Sequence, residues 1–135
     1  MADHNLLGQE GERQAMLHLM HKGYTLLEHN WRSGHLEIDI VAEWHGEIVF
    51  VEVKTRRNED FAPAAEAVTL NKKRNLIAAA RAYLAYHHLI GQPYSYDIIT
   101  VVGTSAPFQI THIRHAYNEE KVREKSKKLF RLFFC

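Results

Sequence analysis

Three acids and a lysine occupy positions where the surrounding pattern calls for apolar residues, and together they could support metal-assisted chemistry. Residues 47–55 read as a strand that is apolar on both faces over 48–51, as in a central strand covered from both sides. Residues two apart in a strand share a face. Ile48, Phe50, Glu52 and Lys54 therefore line one side, and Val49, Val51 and Val53 the other. A glutamate and a lysine on the face begun by Ile48 and Phe50 are costly unless a partner, a metal or a role compensates. Asp39 interrupts Ile38 and Ile40 in the preceding segment. A short connection lets the two strands pair as a hairpin, with Asp39 across from Glu52. Two carboxylates that close repel unless a cation sits between them or one takes a proton. A salt bridge from Lys54 to either acid is the plain alternative, since structural ion pairs are common. Glu12 shifts the balance: Ala15, Met16 and Leu19 follow it by three, four and seven places, so it is a third acid on an apolar helical face. Three acids and one lysine on inward-facing positions make a poor salt-bridge network and a good divalent-metal site.

The chain that must position these groups has 135 residues, 46% of them apolar and 24% charged, with one cysteine. That length fits one domain able to bury a core without staples. Cys135 has no internal partner, which excludes a disulfide scaffold, and cysteine or serine nucleophile chemistry has no support. No apolar run approaches the ~18–20 residues that span a bilayer, and the N-terminus lacks a signal-peptide pattern. A soluble, cytoplasmic protein without a membrane partner is expected. Glycine-rich phosphate loops are absent, which argues against an NTPase. Ten histidines include His18-x-x-His21, His87-His88 and His112-x-x-His115; none is completed into a zinc motif, so surface and packing roles are expected.

A helix is expected over 8–21, strands over 24–31, 35–43 and 47–55, with turns at 32–34 and 45–46. A loop over 58–63 leads to a helix from 64 to about 88, a strand over 96–102, a short strand over 109–115 and a basic helical tail. This order predicts an α/β fold with a mixed sheet flanked by helices, and a right-handed crossover from the third strand to the fourth. Residues 1–118 are expected to form the domain and 119–135 a basic, aromatic C-terminal tail.

Asp39 followed by Glu52-Val53-Lys54 resembles the Asp…Glu-x-Lys signature of the PD-(D/E)XK nuclease superfamily. Gly8-Gln-Glu-Gly11-Glu12, Asn30-Trp31-Arg32, Glu37-Ile-Asp39-Ile-Val-Ala42, Phe50-Val-Glu52-Val-Lys54-Thr-Arg56, Ala67-Val68 and Lys72 together resemble the YraN-like family of small bacterial proteins. That family is similar to archaeal Holliday-junction resolvases. The resemblance implies a restriction-endonuclease-like α-β-β-β-α-β core and a metal-dependent DNA endonuclease, structure-selective in the manner of a resolvase. It implies that Asp39 and Glu52 bind Mg²⁺ or Mn²⁺ with the backbone carbonyl of Val53 as a further ligand. Lys54 would then orient or deprotonate the attacking water, Glu12 would complete the acidic cluster through a second ion or a water, and Lys72 would contact a phosphate. Two positions depart from the family pattern. Leu36 replaces a glycine, with an expected effect on the turn near Asp39, and Ser95-Tyr96 replaces Arg-Phe.

Charge is divided along the chain. Residues 1–53 hold three basic and nine acidic side chains, and residues 54–135 fourteen and seven. Lys54, Arg56, Arg57, Lys72, Lys73, Arg74 and Arg81 flank the acids in sequence, and on one face they would be a footprint for phosphate backbones. Arg32, Ser33 and Gly34 read either as a plain turn or as a mobile element over substrate. The tail from 121 to 131 carries six basic residues and one acid, for which docking on its own domain, nucleic-acid contact, membrane contact and dimer packing all stay open. Branched DNA is the expected partner, and the analogy that two cuts need two sites suggests a homodimer. The alternatives are a non-catalytic nucleic-acid-binding module on a nuclease scaffold and a structural partner protein.

Overall fold

A computed structural model of the chain describes residues 2–60 and 62–134. Helix α1 (Ala2–His21) leads into the antiparallel strands β1 (Thr25–Ser33), β2 (Leu36–Trp44) and β3 (Glu47–Arg56). A 3₁₀ turn at Ala64–Ala67 precedes α2 (Leu70–Tyr86), followed by β4 (Tyr94–Val102), β5 (Gln109–Tyr117) and α3 (Glu119–Phe134). The five strands form one sheet in sequence order, with β3 and β4 parallel and every other pair antiparallel. The expected α/β architecture is the one observed, a mixed sheet with a restriction-endonuclease-like order of elements.

The alternation of β3 builds both layers. Ile48 and Phe50 pack with Leu76, Ala80, Tyr83 and Leu84 of α2, whereas Val49 and Val51 pack with Ala15 and Leu19 of α1. Central β3 is thus apolar on both faces because a helix covers each. Gly11 sets how closely α1 approaches. A Cβ there would collide with the Thr55 side chain, so only glycine lets the helix cross the end of β3.

Three expectations need correction. The helix from 64 to 88 is broken, because Val68 is extended and the Thr69 hydroxyl accepts from the backbone N–H of Lys72 at 3.2 Å, starting a new helix with its own cap. Arg32 and Ser33 do not form a turn; they end β1 and pair with Glu37 and Leu36. Gly34 and His35 make that turn, with Gly34 at φ 61°. Leu36 therefore opens β2 and packs against the α2-side core rather than shaping the turn near Asp39.

Candidate active site

The sheet opens into a fork where the acids lie. β2 and β3 pair from Trp44–Glu47 to Ile40–Val51 and no further, although β3 continues beside β4 to Arg56. The next pair in that register would be Asp39 with Glu52, as the hairpin reasoning expects. There the Asp39 side chain replaces a ladder bond: the backbone N–H of Val53 donates to its Oδ2 at 2.9 Å. In a strand, a residue's N–H and C=O point toward the same neighbour, so the Val53 carbonyl is turned into the same fork.

Asn30 contributes on the other side of β2. It lies between the His29–Ile40 and Trp31–Ile38 pairs, opposite Asp39, with φ 53°. Asparagine tolerates this left-handed conformation better than most residues do. Around this kink the alternation of β2 breaks, with Ile38 in the α2-side core and Ile40 in the α1-side core.

A cleft of about 710 Å³ at the fork is lined by Glu12, Asp39, Glu52, Lys54 and Lys72, among others. The four central candidates, from α1, β2 and β3, therefore share one cavity, and Lys72 reaches it from the capped first turn of α2. Burial pushes the Asp39 carboxyl up to about 6, with the charges of Glu12 and Glu37 adding to the rise and the Val53 N–H opposing it. Burial also pushes Glu52 up, to about 7, and the Asp39 charge beside it adds to that. Lys54 moves down to about 8, first through burial and then through the Lys72 ammonium next to it. Lys54 and Lys72 oppose the rise of Glu52 only in part, and among the described residues Lys54 has no carboxylate within ion-pair distance. Both signs are held in the cleft in disfavoured charge states.

Glu12 enters the cleft differently from the other two acids, because its Oε2 lies 3.1 Å from His29 Nε2. Glu37 also lines the cleft and pairs with Arg32 at 3.3 Å. Neither His29 nor Glu37 was marked as a site residue by sequence reasoning, although Glu37 lies two residues before Asp39 in the quoted motif.

The basic residues separate into groups. Arg56, Arg57 and Lys72 line the cleft, and Arg32 sits beside it through Glu37. Lys73 lies over the Tyr117 ring, 5.2 Å from its centre. Arg74 lines a different groove against α3, and Arg81 pairs with Glu119 at 3.2 Å. The single basic face considered from sequence is thus divided by the first turns of α2.

Among the described residues, no group of three or more His, Cys, Asp or Glu side chains could hold a metal ion. An all-protein cage of the zinc type is therefore absent from them. Two carboxylates and a carbonyl, with water and phosphate oxygens completing the shell, are instead the hard, sparse donor set that Mg²⁺ takes. A divalent cation would offset both the burial that raises Asp39 and Glu52 and the smaller repulsion between neighbouring acids.

The element order and the parallel β3–β4 pair make this an α/β fold consistent with a restriction-endonuclease-like core, with the cleft at the β2–β3 fork. The profile of the uncharacterised protein family UPF0102 matches residues 11–101. Related sequences include UPF0102 proteins of Bacteroides thetaiotaomicron (47% identical over 117 residues, 87% of this chain and 96% of that one) and Phocaeicola vulgatus (45%, with the same coverage). Another, from Roseiflexus castenholzii, is 43% identical over 116 residues, covering 84% of this chain and 94% of that one. The chain belongs to the UPF0102 family, that of the YraN-like proteins its motifs resemble. No helix among the described residues is long and apolar enough to cross a membrane.

Proposed function

We propose that the protein is a metal-dependent DNA endonuclease that hydrolyses phosphodiester bonds in branched or otherwise structured DNA, leaving 5′-phosphate and 3′-hydroxyl ends. One observation carries this reading: Asp39, Glu52 and Lys54 line one cleft of about 710 Å³ at the sheet fork, together with the cations Arg56, Arg57 and Lys72. Asp39, Glu52 and the Val53 carbonyl would hold Mg²⁺ or Mn²⁺, which supplies Lewis-acid polarisation of a phosphoryl oxygen and acidifies water. The Val53 N–H fixes the Asp39 carboxylate, so its orientation does not depend on substrate. Lys54, near 8, populates both protonation states at mildly alkaline pH. Its neutral amine can accept a proton from the attacking water, and its ammonium can hold a phosphate oxygen. Lys72, Arg56 and Arg57 supply phosphate contacts that set position and salt dependence rather than base preference.

The test is a cleavage panel of duplex, flapped, four-way and single-stranded DNA with Mg²⁺ and Mn²⁺. The wild type is expected to cut at least one structured substrate, and Asp39→Asn to cut none while retaining salt-sensitive binding. Absence of cutting by the wild type across the panel would overturn catalysis and favour the binding module.

A further inference from the structure

The C-terminal helix carries a cationic stripe that the catalytic cleft does not use. Arg123, Lys127 and Arg131 recur every four residues, with Ser126 and Phe130 between them, so the five share one helical face. This face and Arg74 of α2 line a groove of about 360 Å³. Among the described residues, none of these four cations has a carboxylate within ion-pair distance. Like charges four apart on a helix destabilise it by about 0.2–0.5 kcal/mol per pair, so three in a row are a cost that a polyanion would reverse.

The helix is also held in place. Glu119 in its first turn accepts from Tyr94 and Tyr96 hydroxyls at 2.8 Å and from Arg81 at 3.2 Å. Asn118 accepts from the backbone N–H of Lys121 at 2.8 Å, and Val122 is buried against the α2-side core. The Tyr96 hydroxyl, at a position that departs from the family pattern, thus serves to anchor α3. Arg74 is two residues after Lys72, so the first turns of α2 present Lys72 to the cleft and Arg74 to the groove.

We infer that the α2–α3 groove binds the phosphate backbone of a single-stranded nucleic-acid segment that leaves the cleft around the start of α2. The inference rests on the nucleic-acid part of the function proposed above, though not on cleavage. Four cations match phosphates in charge, and the Phe130 ring among them, 59% exposed, offers the aromatic surface on which unpaired bases stack. α3 lies beyond residues 11–101 matched by the family profile.

The test uses the full-length protein in EDTA, so that binding is read without cutting. A triple variant, Arg123→Ser with Lys127→Ser and Arg131→Ser, is compared with wild type on a single-stranded oligonucleotide, a blunt duplex and phosphatidylserine vesicles. The variant is expected to bind the single strand about tenfold more weakly. Its slope of log affinity against log salt should be shallower by about 2, at ~0.7 per lost phosphate contact. Duplex binding should change less, and far-UV circular dichroism should be unchanged. Equal single-strand affinity for variant and wild type would overturn the inference, as would a loss confined to vesicles or equal on duplex. A wild type that cuts nothing, alongside a variant that loses single-strand binding, would remove the nuclease reading and leave the groove standing.

Discussion

The sheet holds two sets of inward carboxylates, and they are treated in opposite ways. Asp97 on β4 is 1% exposed, yet donors surround it: Ser95 Oγ at 3.0 Å, the His115 backbone N–H at 3.1 Å and His112 Nε2 at 2.7 Å. It sits where the β4–β5 register shifts, and one of its bonds pins His115 at φ 49°. Asp39 has the one backbone donor at Val53, and Glu52 faces another acid across the fork. A buried acid that builds structure is saturated with donors, whereas at the fork Asp39 accepts from the Val53 N–H and repels a second acid. That contrast, together with burial, is what supports the cleft as the proposed metal site.

The largest expected effect breaks the comparison most sharply. Asp39→Asn or Glu52→Gln should lower metal-dependent cleavage by about three orders of magnitude, since ~1.4 kcal/mol of lost transition-state stabilisation is tenfold and metal polarisation supplies several. Asp97→Asn should instead retain cleavage per folded molecule in single-turnover assays. It should lose about 2 kcal/mol of stability in urea melts, as leaving a buried hydrogen-bonding group unsatisfied does.

The next effect has the opposite sign at the two places. Asp39 and Glu52 have folded-state values above their ordinary ones, so between about pH 4 and 7 the unfolded chain releases protons first. Stability of the metal-free protein therefore falls as pH rises through that window. Glu52→Gln should remove part of this penalty. By thermal melts in EDTA at pH 8 we expect it to exceed the wild type by about 4 °C, corresponding to ~1 kcal/mol, with the gap closing toward pH 5. The smallest expected effect is on binding. Arg57→Ala should weaken DNA affinity about threefold and reduce the salt slope by about 1, measured by fluorescence anisotropy at several salt concentrations.

Much of this was legible because single-strand periodicity carries it. The apolar run over 48–51 gave β3 its central position, and parity put Glu52 and Lys54 on the face begun by Phe50. The hairpin placed Asp39 opposite Glu52 without any structure. What escaped were features decided by a few atoms at long range. Residues 64–88 are alanine-rich enough to read as one helix, and only the Thr69 cap reveals the break that presents Lys72. Asn30 looks like an ordinary strand residue until its positive φ is seen opposite Asp39. His112 looked like a surface or packing histidine, and its pairing with Asp97 depends on the β4–β5 register, which no local pattern encodes.

Manganese uptake tests the central claim most directly. Titration of the full-length protein with Mn²⁺ at pH 8, followed by loss of the free-ion electron paramagnetic resonance signal, should show saturable binding by wild type and by Asp97→Asn. Asp39→Asn and Glu52→Gln should bind at least tenfold more weakly. Equal uptake by all four proteins, or none by the wild type, would contradict a cation-seeking pair at the fork.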